Sequence, residues 1–453
     1  MPDRPADNTD IVDILGVGFG PANLALAVAL RERAESPGGT GALSAHFYEK
    51  KPEFGWHRDM LIEDASMQVS FLKDLATVRN PMSPFTFVAY LHNRGRLLDF
   101  MNNKSFFPLR VEFHDYLEWA AEKFADQVDY GSSVVGMSPV ADAEGITRCI
   151  DVEVLRNGVR RTHRARHVVL ATGLEPVLPP GVGRGPRMWH SSELLGRIEG
   201  MTSDKPQRFV VVGAGQSAAE VAGHLHERFS DAQVHAVLSR YGYSVADDSS
   251  FANQVFDPSA VDHYFKATSE IKQLFLEYHA NTNYSVVDLD LIQDLYRRAY
   301  RESIMGRRRL HVHSISRLHG VPEASVDAVQ VEIEFLPTGG VTALTADAVV
   351  YATGYRASDP LALLGPLGSS CKRDEQGRLQ VGRDYRVATE ETLKAGIYLQ
   401  GPSTEHTHGL SSGLLSNIAV RAGEIAGALE ASLITERRRS SEEPRAHESA
   451  IRR

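Results

Sequence analysis

Two apolar strands, about 200 residues apart, each run into a glycine-rich turn and then a helix. That doubling predicts an α/β fold with two Rossmann-like dinucleotide-binding domains. A third observation completes it: residues between 252 and 305 change to a helical, aromatic-rich composition with many Asn and Tyr, predicting a smaller, mostly helical insertion. At 453 residues the chain is too long for one ordinary core.

Residues 1–10 are polar, and a disordered leader is expected there. IVDILG (11–16) is a short apolar strand ending in glycines, followed by an Ala/Leu-rich helix over roughly 21–34 and a second strand, AHFYE (45–49). EFHDYLEWAAEKF has helical spacing of apolar residues. DVEVL and HVVLAT flank an Arg-Asn-Gly turn at 156–158, which predicts a pair of strands. RFVVVG (208–213) restarts the pattern, with GAGQSAAEVAGHLHERF as turn plus helix and AQVHAVLS as the next strand. HVHSIS (311–316), VQVEIEFL (329–336) and DAVVYATGY (347–355) are strands, and the last globular helix is placed at 412–432. The domain boundaries expected are 11–203 with 357–433 for the first dinucleotide domain, 204–252 with 305–356 for the second, and 253–304 for a substrate-binding insertion. The polar, charged stretch 434–453 is expected as a disordered tail.

Composition excludes several classes. The net charge of −9, with no densely basic segment, argues against nucleic acid. No apolar run reaches the length of a membrane span, and the N-terminus lacks a secretory pattern. Two distant cysteines, Cys149 and Cys371, give neither a disulfide framework nor a zinc spacing and fit a reducing cytosol. His406-Thr407-His408 and His311-Val312-His313 invite a metal, but no third ligand stands at a usual spacing, so no metal is expected.

The first turn is Gly16-Val17-Gly18-Phe19-Gly20-Pro21. Glycine lets the backbone approach a pyrophosphate, and the helix that follows aims its free N–H groups and dipole at that charge. Glu49 ends the second strand, where a carboxylate accepts both hydroxyls of an unphosphorylated ribose. That chemistry suits FAD or NAD, and the N-terminal position favours FAD. The second turn is Gly213-Ala214-Gly215-Gln216-Ser217, and its next strand ends at Ser239-Arg240 with no acid. Arginine pairs with a 2′-phosphate that a carboxylate would repel, so NADPH is expected here with Arg240 as its partner. Ala171-Thr172-Gly173 and Ala352-Thr353-Gly354-Tyr355 each end an apolar strand, where backbone can pass close to a cofactor; either could also be a plain strand terminus.

A flavin and NADPH can deliver electrons to a disulfide, a quinone, a protein or oxygen. The absence of Cys-x-x-Cys disfavours the disulfide. Oxygen is the best candidate, through a flavin hydroperoxide that passes its outer oxygen to a nucleophile; the protein must exclude water and place that nucleophile.

Five segments narrow this further: GVGFGPANLALA (16–27), MQVSFLKDLATVRNP (67–81), FANQVFDP (251–258), NTNYSVVD (281–288) and THGLSSGLLS (407–416). Through them the chain resembles, from about 11 to 432, the flavin-dependent N-hydroxylating monooxygenases of siderophore biosynthesis, most closely the L-ornithine N-hydroxylases. The resemblance implies FAD, NADPH and O2, with a C4a-hydroperoxyflavin oxidising the side-chain amine of L-ornithine; lysine or putrescine is the alternative substrate. It implies that Lys73 contacts substrate, that Asn253 lies near the reactive end and the NADPH, that Asn283 binds the α-carboxylate, and that Ser416 lies by the α-amine. Gln68 is implied at the flavin edge, Trp56 and His57 close to the flavin, and Thr353, Tyr355 and Leu414 in the cofactor wall. A homo-oligomer, tetramer or dimer, is implied as well. On residue type alone, Asn253 and Asn283 could instead cap helices or fix loops, and Lys73 could be a solvated lysine.

The implied roles agree with elementary chemistry. The free amine is the nucleophile, and its pKa in solution is about 10.4. A cationic Lys73 beside it in a low-dielectric site would oppose its protonation. One position departs from the family: Asp59 stands where a glycine is usual, two residues after His57. If that position needs positive φ, Asp tolerates it less well than Gly.

Overall fold

The computed structural model describes residues 11–36, 42–201, 205–325 and 327–451. The leader expected at 1–10 lies outside them. The first sheet has seven strands. Its order is Val128–Tyr130, Ala45–Glu49, Val12–Val17, Val159–Leu170, Thr147–Arg156, Ser132–Ala141, with Gly396–Leu399 also paired to Val159–Leu170. Val12–Val17 is parallel to both neighbours, whereas the pairs around the Arg156–Val159 turn are antiparallel. Helix Pro21–Glu35 starts directly after Gly20, which is extended, with Pro21 in the first turn, where its missing N–H costs nothing. That helix, the aromatic residues of helix Arg110–Ala121 and the last helix cover one face of the sheet; Leu364, Leu367, Val381 and Ile397 belong to the core on the other.

The second sheet is parallel, in the order Leu310–His313, Gln233–Val237, Arg208–Val212, Ala348–Tyr351, Met188–His190. Its fifth strand comes from the stretch expected at the end of the first domain, and Trp189, Leu194 and Ile198 join the second core. A short antiparallel sheet, centred on Val329–Phe335, contributes Val329, Val331 and Ile333 to the core on its other face. The insertion is helical as expected: Pro258–Lys266, Ser269–His279 and Leu289–Ile304, preceded by a 3₁₀ turn, Ala252–Phe256.

One expectation about the C-terminal part is corrected. The helix placed at 412–432 begins only at Ile418, because Gly409 has φ +81°, Leu410–Gly413 forms a 3₁₀ turn and Leu414 is extended. The helix runs Ile418–Ile451, into the stretch 434–453 where a disordered tail is expected; 452–453 lie outside the described residues. Its first turns bury Ile418, Ala422, Ile425, Ala426, Leu429 and Leu433, an apolar stripe at helical spacing. Once this stripe holds the helix, Glu, Arg and Ala propagate it at little cost.

Candidate functional site

At the first turn each glycine has its own reason. A Cβ on Gly16 would meet the Phe47 ring at 2.2 Å, and one on Gly18, whose φ is +82°, would meet the Ala171 carbonyl at 2.6 Å. A Cβ on Gly20 would meet nothing within 4 Å: the space before the helix is open, as a cradle for a pyrophosphate must be. Asn23, which sequence reasoning did not single out, is fully buried and locks the turn. Its Nδ2 donates to the Gly18 carbonyl at 2.7 Å, and its Oδ1 accepts from Gln400 at 3.0 Å. Glu49 ends its strand as expected; its carboxylate accepts the N–H groups of Phe19 and Lys51 at 2.8 and 2.9 Å, which leaves lone pairs for a ribose. Gln400 Oε1, Ser412 Oγ, Ser416 Oγ and both side-chain polar atoms of Asn417 are buried without a partner among the described residues. Buried polar atoms in native folds find partners, so these residues fit a polar, planar group such as a flavin.

The second turn repeats the logic with a different rim. Gly213 has φ +143°, and a Cβ there would meet the Ala352 carbonyl at 2.3 Å; Gly215 caps helix Gln216–Arg228 in extended backbone. Gln216 and Ser217 open that helix. The Arg240 side chain is exposed and donates to the Ser285 carbonyl at 3.1 Å, and the Cα of Ser285 would lie 3.4 Å from a Cβ on Gly215. Arg240 is thus held at the turn by the insertion's own loop. Thr353 donates to the Val177 carbonyl, which makes it a strand-end brace. Tyr355 packs edge-on against His190 at 4.8 Å and His57 at 5.9 Å.

His57 connects the two halves. Burial, with Arg110, Lys51 and His114 nearby, pulls its imidazole down to about 4, so it is neutral at physiological pH. It adopts the left-handed conformation, φ 51°, and its ring meets that of Trp56 at 4.9 Å; Trp56 in turn packs on Phe113. The positive φ of this segment therefore falls on His57. Asp59 lies in the 3₁₀ turn Arg58–Met60 and accepts the Gly196 N–H at 3.1 Å, tying the loop to helix Leu194–Glu199.

Lys73 meets the insertion at its junction with the first domain. Lys73 Nζ lies 5.8 Å from the centre of the Phe256 ring, and no salt bridge engages it among the described residues. Burial lowers its pKa, with Asp257 opposing. Val255 and Phe256 cluster with Leu410 and Leu414, so leucines of the C-terminal loop wall the same place. Asn253, in the same 3₁₀ turn as Phe256, donates to the Asp248 carbonyl at 2.6 Å; the neighbouring Asp247 N–H bonds the Asn281 carbonyl, which brings the Asn283 loop alongside. Asn283 adjoins Tyr284, whose hydroxyl donates to Glu405. Ser416 is buried, and Arg421, itself buried, donates to the Ser411 and Ser412 carbonyls and fixes that loop. Gln68 is exposed. Asn23, Gln400 and Arg421 were missed because their signals are contacts with remote residues.

The family model described as L-lysine 6-monooxygenase/L-ornithine 5-monooxygenase matches residues 10–357. The chain belongs to this family. An L-ornithine N(5)-monooxygenase of Pseudomonas aeruginosa is 39% identical over 92% of this chain and 93% of its own length. Among solved structures, the Kutzneria sp. 744 ornithine N-hydroxylase, described with reduced FAD, NADP+ and L-ornithine, is 48% identical with a TM-score of 0.88, covering 93% of this chain and 99% of that one. An L-lysine 6-monooxygenase from Pseudomonas syringae is 33% identical with a TM-score of 0.80, covering 93% and 99%. Among the described residues no helix is long and apolar enough to cross a membrane, and no cluster of His, Cys, Asp or Glu could hold a metal.

Proposed function

We propose that this monooxygenase hydroxylates the δ-amine of L-ornithine with NADPH and O2, making N-hydroxyornithine for a siderophore or related natural product. FAD, when bound at the first turn, supplies the oxygen activation. The observation that carries the reading is Lys73: a half-buried cation without a salt bridge, beside the Phe256 wall and the Asn253 turn. A cation there holds the substrate amine unprotonated and hence nucleophilic. Asn253 orients that amine, and Asn283 receives the α-carboxylate without adding charge. Val255, Phe256, Leu410 and Leu414 exclude water from the reacting end. Arg240 takes the 2′-phosphate of NADPH. Ornithine is favoured over lysine by the greater identity to the ornithine N-hydroxylase, 48% against 33%. The same reading carries a cytosolic dimer or tetramer, in which buried Cys149 and Cys371 remain thiols.

The test is a hydroxylamine-specific assay with NADPH, FAD and oxygen, run on L-ornithine, L-lysine and putrescine. Product from ornithine supports the proposal. Product from lysine or putrescine alone overturns the substrate, and peroxide without product from all three overturns the amine pocket.

A further inference from the structure

A buried cation stands at the start of the last helix. Arg421 lies in the first turn of Ile418–Ile451 and is only 3% exposed. Its Nη1 donates to the Ser412 carbonyl at 2.8 Å and to that of Ser411 at 3.5 Å, and its Nε is buried without a partner. Its backbone N–H bonds the Asn417 carbonyl at 2.9 Å. Ser412 and Asn417 are two of the residues whose buried polar atoms fit a flavin, so Arg421 is bonded to the backbone of that cradle. No salt bridge engages Arg421 among the described residues, for the two oxygens of Glu424, three residues on, are taken by Arg383 at 2.8 Å each. Arg383 also binds Asp262, whose side chain is 48% exposed and screened by water. Burying a cation without a partner is costly unless a negative group arrives to balance it.

We propose that Arg421, with the free N–H groups of the same helical turn, balances the negative charge that FAD acquires on reduction. A hydride from NADPH carries two electrons and one proton. Its transfer therefore leaves NADP+ and a reduced FAD with one more negative charge, and no second proton is needed. A buried cation and a helix N-terminus both favour the more negative of the two oxidation states. The inference rests on the flavin placement described above, not on which amine is hydroxylated.

The experiment compares the full-length, FAD-loaded protein as wild type, Arg421→Lys and Arg421→Gln. The midpoint potential of the bound FAD is measured by spectroelectrochemical titration, and the affinity for oxidised FAD by flavin fluorescence. Arg421→Gln keeps an amide donor for the Ser412 carbonyl and removes the charge. Its affinity for reduced FAD is expected to fall about tenfold more than its affinity for oxidised FAD, which is a potential about 30 mV lower. Arg421→Lys keeps the charge, and the same ratio is expected to stay within about twofold of wild type. An unchanged potential in Arg421→Gln overturns the proposal. That includes equal weakening of both oxidation states, as expected of a cation that serves only the pyrophosphate or the fold. Equal drops in the Gln and Lys variants overturn it too, because they follow geometry and not charge. If Arg421→Gln does not fold or hold FAD, the wild type decides. Its potential is expected to fall by about 30 mV per pH unit down to about pH 6, one proton per two electrons; twice that slope means a neutral reduced flavin and overturns the proposal. If the wild type makes no hydroxylamine, the proposed function falls, while these potentials, which need no amine, still decide the role of Arg421.

Discussion

Arg110 and Glu220 are joined by two hydrogen bonds, of 2.9 and 2.7 Å, that bridge helix Arg110–Ala121 of the first domain and helix Gln216–Arg228 of the second. Their side chains are only 13% and 6% exposed. Arg110 also donates to the Met60 carbonyl, which anchors the fork in the loop that carries Trp56 and His57. Removing one partner leaves the other charge buried, at a cost of about 3–5 kcal/mol. Arg110→Ala and Glu220→Ala are both expected to lower the thermal midpoint sharply. The double variant Arg110→Met with Glu220→Leu is expected to recover most of the loss. If the single variants unfold like the wild type, the pair does not hold the domains together.

Arg240 reaches the second turn through the Ser285 carbonyl and keeps its outer N–H groups toward solvent. Arg240→Ala is expected to raise KM for NADPH about tenfold or more and leave KM for NADH nearly unchanged, because only the former carries the 2′-phosphate. An unaltered NADPH-to-NADH preference would place the phosphate elsewhere.

Gly18 and Gly20 are expected to fail differently. Gly18→Ala forces a side chain into φ +82° and against the Ala171 carbonyl, so both stability and FAD content fall. Gly20→Ala meets open space, so the FAD-free protein should unfold within about 0.5 kcal/mol of wild type. Its FAD affinity should nevertheless drop, because the added methyl stands where the pyrophosphate approaches. Absorbance at the flavin band after purification, set beside thermal unfolding of the FAD-free forms, separates the two.

Lys73→Met keeps the bulk against Phe256 and removes the cation. Product per NADPH is expected to fall at least about tenfold, with NADPH-dependent flavin reduction little changed. Whatever product remains should require higher pH, because without the neighbouring cation the substrate amine keeps its proton longer. A pH profile that superimposes on the wild type would remove Lys73 from amine activation.

Acid should destabilise the fold through its buried histidines. His167 is fully buried and accepts the Gly396 N–H at 2.8 Å; His408 is stacked on Tyr385 at 4.0 Å. Burial holds each down to about 3, against about 6.5 in the unfolded chain. Between those values the unfolded chain binds more protons. Stability is therefore complete above pH 6.5 and falls as pH drops through that window, by roughly 1.4 kcal/mol per pH unit for each such histidine. Denaturant midpoints should hold level from pH 7.5 to about 6.5 and then fall toward pH 5, and His167→Asn should flatten the fall. A midpoint independent of pH across that range would contradict the assignment.

The elements legible in the chain are those whose cause is local. AHFYE became the strand Ala45–Glu49, and both glycine turns sit between strand and helix, because left-handed or crowded backbone at Gly18 and Gly213 demands glycine whatever surrounds it. The start of the helix Ile418–Ile451 is not legible in the chain. Composition alone does not reveal that Leu410–Gly413 must turn to form a wall, nor that a buried apolar stripe extends a polar helix. Likewise, Asp59 gave no sign of its bond to Gly196, 137 residues away.

The sequence by itself determined two dinucleotide turns, their charged rims at Glu49 and Arg240, and a family motif set that includes Lys73, Asn253 and Asn283. Those depend on residue type within a few positions of a strand end or a motif. Only the tertiary structure decided how these parts are joined: Arg110 to Glu220 across 110 residues, Gln216 to Asp288 across 72, and Asn23 to Gln400 across 377. Hydrogen bonds and ion pairs of that kind depend on where folding brings distant side chains, and no local pattern encodes the meeting.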